Sequence, residues 1–196
     1  MNKATKLTLL AAALVAVAGC FNEPEPAYKS VPAENRVYLS DKGLKTVPEV
    51  NAKADYLNLD RNQLEKADGV EKLTELKWLR LNDNKLAALP DLKGLVNLRR
   101  IYLRNNKFAA VPETLKDLPS LTDIDLSGNP VKEVPQWLAE KKGLKNLSFS
   151  RTQVSKLPEN LEAWTSLQCL QLGDLNIPAA EMARIRATLP NVAIVF

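Results

Sequence analysis

Residues 76–86 read LKWLRLNDNKL, and the frame of that stretch decides the architecture. It returns as LRRIYLRNNKF from Leu98, LTDIDLSGNPV from Leu121, LKNLSFSRTQV from Leu144 and LQCLQLGDLNI from Leu167. Two weaker copies precede it, ADYLNLDRNQL from Ala54 and ENRVYLSDKGL from Glu34. The last apolar position of each copy falls at Leu44, Leu64, Leu86, Phe108, Val131, Val154 and Ile177, at spacings of 20, 22, 22, 23, 23 and 23 residues. Apolar residues alternate within the frame, so they point to one side of a short strand. Leu79 and Leu81 therefore face inward, and Trp78, Arg80 and Asn82 face outward. One such strand cannot bury its apolar face alone, whereas stacked copies share a continuous core. The frame predicts strands near 36–40, 56–60, 78–82, 100–104, 123–127, 146–150, 169–173 and 192–196.

The pattern resembles the LxxLxLxxNxL consensus of leucine-rich repeats, and the resemblance runs over residues 34–196. It implies an α/β solenoid, a right-handed superhelix with a parallel concave sheet of about eight short strands. It also implies binding of another protein as the typical activity. The domain so defined covers residues 35–196, as seven repeats followed by a capping helix and strand.

Two further columns support the frame. Asn62, Asn84, Asn106 and Asn129 occupy the consensus asparagine. A carboxamide both donates and accepts, so it can satisfy backbone groups buried where the chain leaves the sheet. The column fails at Lys42, Thr152 and Leu175; Thr152 still offers a hydroxyl, and the other two lie in terminal coils. Pro48, Pro90, Pro112, Pro135 and Pro158 each follow the last apolar position by four residues. Proline sets φ and needs no amide partner, which suits the start of the return path. Leu115, Leu118, Leu138, Leu161 and Trp164 then close the core from the convex side. Pro178–Thr188 reads as a helix with proline in its first turn and Met182, Ile185 and Leu189 on one face. Leu189–Ile194 imitates one more strand.

The opening MNKATKLTLLAAALVAVAGC has a basic start at Lys3 and Lys6 and an apolar run of 12 residues, Leu7–Ala18. That run suits a secretory signal rather than a spanning helix. Val17-Ala18-Gly19-Cys20 resembles the lipobox of bacterial lipoproteins. The resemblance implies a signal peptide over 1–19, cleavage before Cys20, and lipid on the Cys20 sulfur and amine, palmitate among the chains. Phe21, rather than Asp, follows the cysteine, which in a Gram-negative envelope points to the outer membrane. Residues 20–34 are expected to form an extended tether, because FNEPEPAYKSVPAE has three prolines, three glutamates and few apolar residues to bury.

Composition narrows the function. The chain has no histidine, which removes the commonest general base and metal ligand. No cofactor or metal set is legible. Without Lys3 and Lys6 the 27 basic residues become 25, against 23 acidic ones, so nothing suggests nucleic-acid binding.

The frame places on the concave face a first column of Arg36, Tyr56, Trp78, Arg100, Asp123, Asn146 and Cys169. The second column is Tyr38, Asn58, Arg80, Tyr102, Asp125, Ser148 and Gln171. The third is Ser40, Asp60, Asn82, Arg104, Ser127, Ser150 and Gly173. Three of the four tyrosines, one of the three tryptophans and four arginines fall there, and no lysine does. Tyr, Trp and Arg dominate binding hot spots. The expected partner surface is Arg36, Tyr38, Tyr56, Trp78, Arg80, Arg100, Tyr102, Arg104, Asp123 and Asp125. The plainer alternative is cross-strand pairing that stabilises the sheet. Asp123 and Asp125 lie ~7 Å apart, a glycosidase-like separation, but pairing with Arg100 and Arg104 is the stronger reading. The function expected is therefore a non-enzymatic scaffold of the bacterial cell envelope that binds a protein. Glycan or peptidoglycan binding and surface adhesion are the alternatives. Cys169 is expected on the concave face without a disulfide partner, half-covered under the last strand, with a reactive or intermolecular thiol as the alternative. Trp137 is expected as a packing residue of the convex side, with a second contact as the alternative.

Overall fold

The computed structural model describes residues 33–196. The leader, Cys20 and the tether up to residue 32 lie outside the described residues. Ala33–Asn35 is a 3-10 turn ahead of the first strand. Eight parallel strands follow in chain order and form one sheet: β1 (Arg36–Tyr38), β2 (Tyr56–Asn58), β3 (Trp78–Arg80), β4 (Arg100–Tyr102), β5 (Asp123–Asp125), β6 (Asn146–Ser148), β7 (Cys169–Gln171) and β8 (Ala193–Val195). Each strand has three residues rather than the expected five. The backbone ladder nevertheless runs on: the Leu59 amide donates to the Arg80 carbonyl at 2.8 Å, and the Arg61 amide to the Asn82 carbonyl at 2.9 Å.

The register pairs equivalent positions of every copy. Tyr56 stands opposite Trp78, Trp78 opposite Arg100, and Arg100 opposite Asp123. Leu79 and Leu81 are fully buried, as are Ile101, Leu103, Ile124 and Leu126. Each such side chain contributes roughly 1.5–3 kcal/mol on leaving water. The phase of the alternation is thus the one read from the sequence.

The chain leaves each strand through a left-handed residue: Asp41, Arg61, Asp83, Asn105, Gly128, Arg151 and Asp174 all have φ between +53° and +67°. The asparagines then fill the interior of the bend. Asn106 accepts from the Leu86 amide at 3.0 Å and donates to the carbonyls of Leu81 and Leu103, both at 2.9 Å. Asn62, Asn84 and Asn129 repeat this geometry. The Thr152 hydroxyl reaches only its own coil, accepting from the Val154 amide at 3.4 Å.

The convex side is built from short turns: 3-10 segments at Val70–Lys72, Glu113–Leu115 and Leu161–Ala163, and helix α1 (Gln136–Glu140). Pro112 and Pro135 precede two of these segments with φ of −61° and −69°. Leu115, Leu118, Leu138 and Leu161 are fully buried, and Trp164 is buried with its Nε1–H donating to the Leu138 carbonyl at 2.9 Å. Trp137 packs partly against the core and donates to Glu113 Oε1 at 2.9 Å.

Helix α2 (Ala179–Thr188) closes the carboxyl end. Pro178 stands just before its first turn rather than inside it. Ile185 and Leu189 are buried, and Met182 packs partly against the core. A polar clamp that the apolar spacing does not reveal fastens the helix. Glu181, 9% exposed, accepts from the Leu157 amide at 2.9 Å and from Arg184 at 2.8 Å. Arg184 also donates to the carbonyls of Leu157 and Pro158.

The concave sheet face as candidate functional site

The strands place all ten expected contact residues on the sheet side opposite the leucines, in the columns predicted. Their exposure differs from expectation. Tyr38 is open at 56%, Arg104 is exposed, and Arg36, Arg80, Arg100 and Asp125 are half-buried. Tyr56, Trp78, Tyr102 and Asp123 are buried, at 3%, 8%, 8% and 3%, although they do not belong to the leucine core. Part of the reason is lateral packing at the strand spacing of ~4.8 Å. The rings of Tyr38 and Tyr56 lie 5.2 Å apart, and those of Tyr56 and Trp78 lie 6.0 Å apart edge to face. The Arg100 guanidinium sits 4.7 Å from the Trp78 ring, and that of Arg80 lies 5.3 Å from the Tyr102 ring. Such ring and cation contacts stabilise neighbours while they hold the arginines over the aromatic row.

Charge is organised along the same rows. Arg80 Nε meets Asp60 Oδ2 at 2.7 Å, and Arg100 Nε meets Asp123 Oδ2 at 3.7 Å. Asp123 also accepts from Asn146 Nδ2 at 2.6 Å and from the Thr122 hydroxyl. Asp125 differs. It was expected to pair with Arg104, but its Oδ1 takes the Ser127 amide at 2.9 Å and the Ser127 hydroxyl, with no ion pair among the described residues. The reason is local: Ser127, two residues on, offers both donors in a tight side-chain turn, and the Arg104 arm is drawn outward to solvent. Burial pushes the Asp125 carboxyl above its ordinary pKa, while the Ser127 donors and, at longer range, Arg104 and Arg151 pull it down.

A second side-chain ladder was not foreseen. Asp60 Oδ1 accepts from the Asn82 amide at 2.8 Å, Asn82 Oδ1 from the Arg104 amide at 2.9 Å, and Ser150 Oγ from the Gly173 amide at 3.1 Å. The signal was present in the third column, where Asp, Asn and Ser recur as acceptors at one position of the repeat. Cys169 also departs from expectation. It is 2% exposed, fully rather than half covered, and its sulfur is disulfide-bonded where no disulfide partner was expected. The sequence has one other cysteine, Cys20.

Parallel three-residue strands on one side, short turns on the other and an asparagine ladder through the central bends define a leucine-rich-repeat solenoid. A leucine-rich-repeat family profile matches residues 74–131. The structure is similar to that of a leucine-rich-repeat protein of Leptospira interrogans, with 25% sequence identity and a TM-score of 0.63, over 78% of this chain and 46% of that one. It is also similar to an internalin of Listeria monocytogenes, with 24% identity and a TM-score of 0.61, over 74% of this chain and 44% of that one. The chain thus spans less than half the length of either structure. A search of curated proteins finds no match.

Proposed function

We propose that this chain is a non-enzymatic binding protein of the bacterial cell envelope, held by lipid at Cys20, and that it recognises a protein partner through its concave sheet. One observation carries the reading: Tyr38, Tyr56, Trp78, Arg80, Arg100, Tyr102 and Arg104 stand on one face in a single ladder register, with Arg36 at its edge and Asp123 and Asp125 beyond. Preformed, rigid rows of Tyr, Trp and Arg lose little side-chain entropy on association. Tyr38, Arg104 and the half-buried arginines supply the outermost contacts, and the packed rings behind them supply a firm floor. Photo-crosslinking from position 104 in whole cells should capture one protein. Trp78→Ala and Arg100→Ala should weaken that capture at least tenfold; unchanged capture by both would remove the concave face from the interaction.

The row Tyr38, Tyr56 and Trp78 would also suit stacking on sugar rings, which keeps glycan binding as a second reading. An envelope glycan array decides between them: retention of a defined glycan that is lost in Trp78→Ala favours the sugar. Protease treatment of intact cells separates an adhesin on the outer surface from a periplasmic scaffold.

The lipid anchor has its own test. Labelling with an alkyne palmitate analogue should mark the chain and should not mark Cys20→Ser. A sulfur that carries a thioether cannot also form a disulfide, so a purified chain in which Cys20 is found joined through its sulfur to another cysteine would overturn the anchor.

A further inference from the structure

Three concave carboxylates lie within the sheet columns, and two are matched by arginines at Asp60 and Asp123. Asp125 is the third. Its Oδ1 is committed to Ser127, and among the described residues no cation lies within ion-pair distance of it. It stands between the large side chain of Tyr102 on β4 and the small one of Ser148 on β6, its two ladder neighbours. Side-chain height therefore drops from one side of the carboxylate to the other. A half-buried carboxylate without a counter-cation weakens a fold rather than supports it, so its place is better explained by something it receives.

Two cations flank it. Arg104 lies on the coil before Asp125 and Arg151 on the coil after it, where the Asn105 amide donates to the Ser127 carbonyl and the Gly128 amide to the Ser150 carbonyl, both at 2.8 Å. Both arginines are exposed, and neither is in an ion pair among the described residues. Arg151 carries a further mark. It occupies the left-handed bend with φ +55°, a position held in the other coils mostly by Asp, Asn or Gly. The other arginine in that column, Arg61, is held there by two bonds of 2.6 Å to Asp41, and Arg151 has no such partner among the described residues. Strained, unpaired polar residues cluster at contact sites. Across coils four to six the concave rim thus reads positive, negative, positive.

We propose that Asp125 seats a single lysine or arginine side chain of an extended partner polypeptide, and that Arg104 and Arg151 take acidic side chains on either side of it. This rests on the concave-face reading above and names the chemistry of the partner. Alternate residues of an extended segment share one face at a spacing of ~6.6 Å, which long arginine arms span across strands ~4.8 Å apart. The site carries one net positive charge, and an acid–base–acid segment carries one net negative charge. The reversed pattern would place like charges together at all three positions, which opposes binding.

Two synthetic heptapeptides test this, Thr-Glu-Thr-Lys-Thr-Glu-Thr and Thr-Lys-Thr-Glu-Thr-Lys-Thr, titrated against the purified chain by NMR. The first should bind at least tenfold tighter than the second. Asp125→Asn should lose at least fivefold of that affinity with no drop in Tm, because the amide keeps the acceptor for Ser127 and removes the buried charge. Arg104→Gln and Arg151→Gly, both at exposed positions, should each weaken the first peptide about threefold by loss of one screened contact. Equal affinity of the two peptides, no binding of the first, or an Asp125→Asn chain within twofold of wild type overturns the proposal. Loss of partner capture in Trp78→Ala is read independently, so the concave-face reading can stand while this one fails.

Discussion

Asn106 shows how much of this fold rests on single side chains. The residue is 7% exposed, and its carboxamide joins three backbone segments from two coils. Asn106→Ala would leave the Leu86 amide unpaired in the interior and remove one of the two side-chain donors to each of the Leu81 and Leu103 carbonyls, which keep Asn84 and Asn129, at a cost of about 1–3 kcal/mol. A denaturant midpoint unchanged from wild type would show that the ladder does not stabilise the bends. Arg151 is the opposite case, a residue whose conformation works against stability. Arg151→Gly would relieve a left-handed backbone and should stabilise the chain by about 1 kcal/mol. A lower thermal midpoint in that variant would mean that the arginine side chain supports the bend after all. Gly128 in the same column needs its missing Cβ, which would lie 2.1 Å from Asn105 Oδ1 and displace the Asn105 bond to Asp83.

At the scale of elements, the carboxyl cap is held by α2 through Glu181. The Arg184 hydrogen bond, joined by the Leu157 amide, holds this carboxyl below its ordinary pKa against the opposing effect of burial. A depressed folded-state pKa means stability that is present above the unfolded value and lost as pH falls through the folded one. Glu181→Gln should therefore lower stability at neutral pH and converge on wild type in acid, below the ordinary glutamate range. A constant difference across pH would assign the loss to packing rather than charge. Asp125 acts with the reverse sign, since its raised pKa weakens the fold at neutral pH and ceases to do so as the carboxyl protonates. Comparison in an Asp125→Asn background isolates the Glu181 contribution. The sheet elements were legible in the sequence because alternation has a period of two, and a one-residue slip would turn Leu79 and Leu81 outward. The clamp of Glu181 and Arg184 was not, since both residues are ordinary on a helix surface until Leu157 arrives from another coil.

As a whole, the molecule is a stack in which each coil touches its neighbours, so its ends are its weak points. Truncation after Ile177 would remove α2 and β8 and uncover β7 and the apolar side of the last full repeat. The shortened chain should lose cooperative unfolding in its last coils and associate in solution; a monomer with an unchanged thermal transition would show that the cap is dispensable. The repeat count, the phase of the strands, the asparagine bends and the membership of the concave columns followed from sequence spacing alone, because neighbour-to-neighbour stacking makes local periodicity sufficient to place each residue on a face. How those columns behave was decided only in three dimensions. Trp78 and Tyr102 lie packed beneath arginines and Asp60 and Asn82 extend a second ladder, because these outcomes depend on which group of the adjacent coil reaches a given atom; Asp125 turns to Ser127 instead of Arg104 because a donor of its own coil lies nearer.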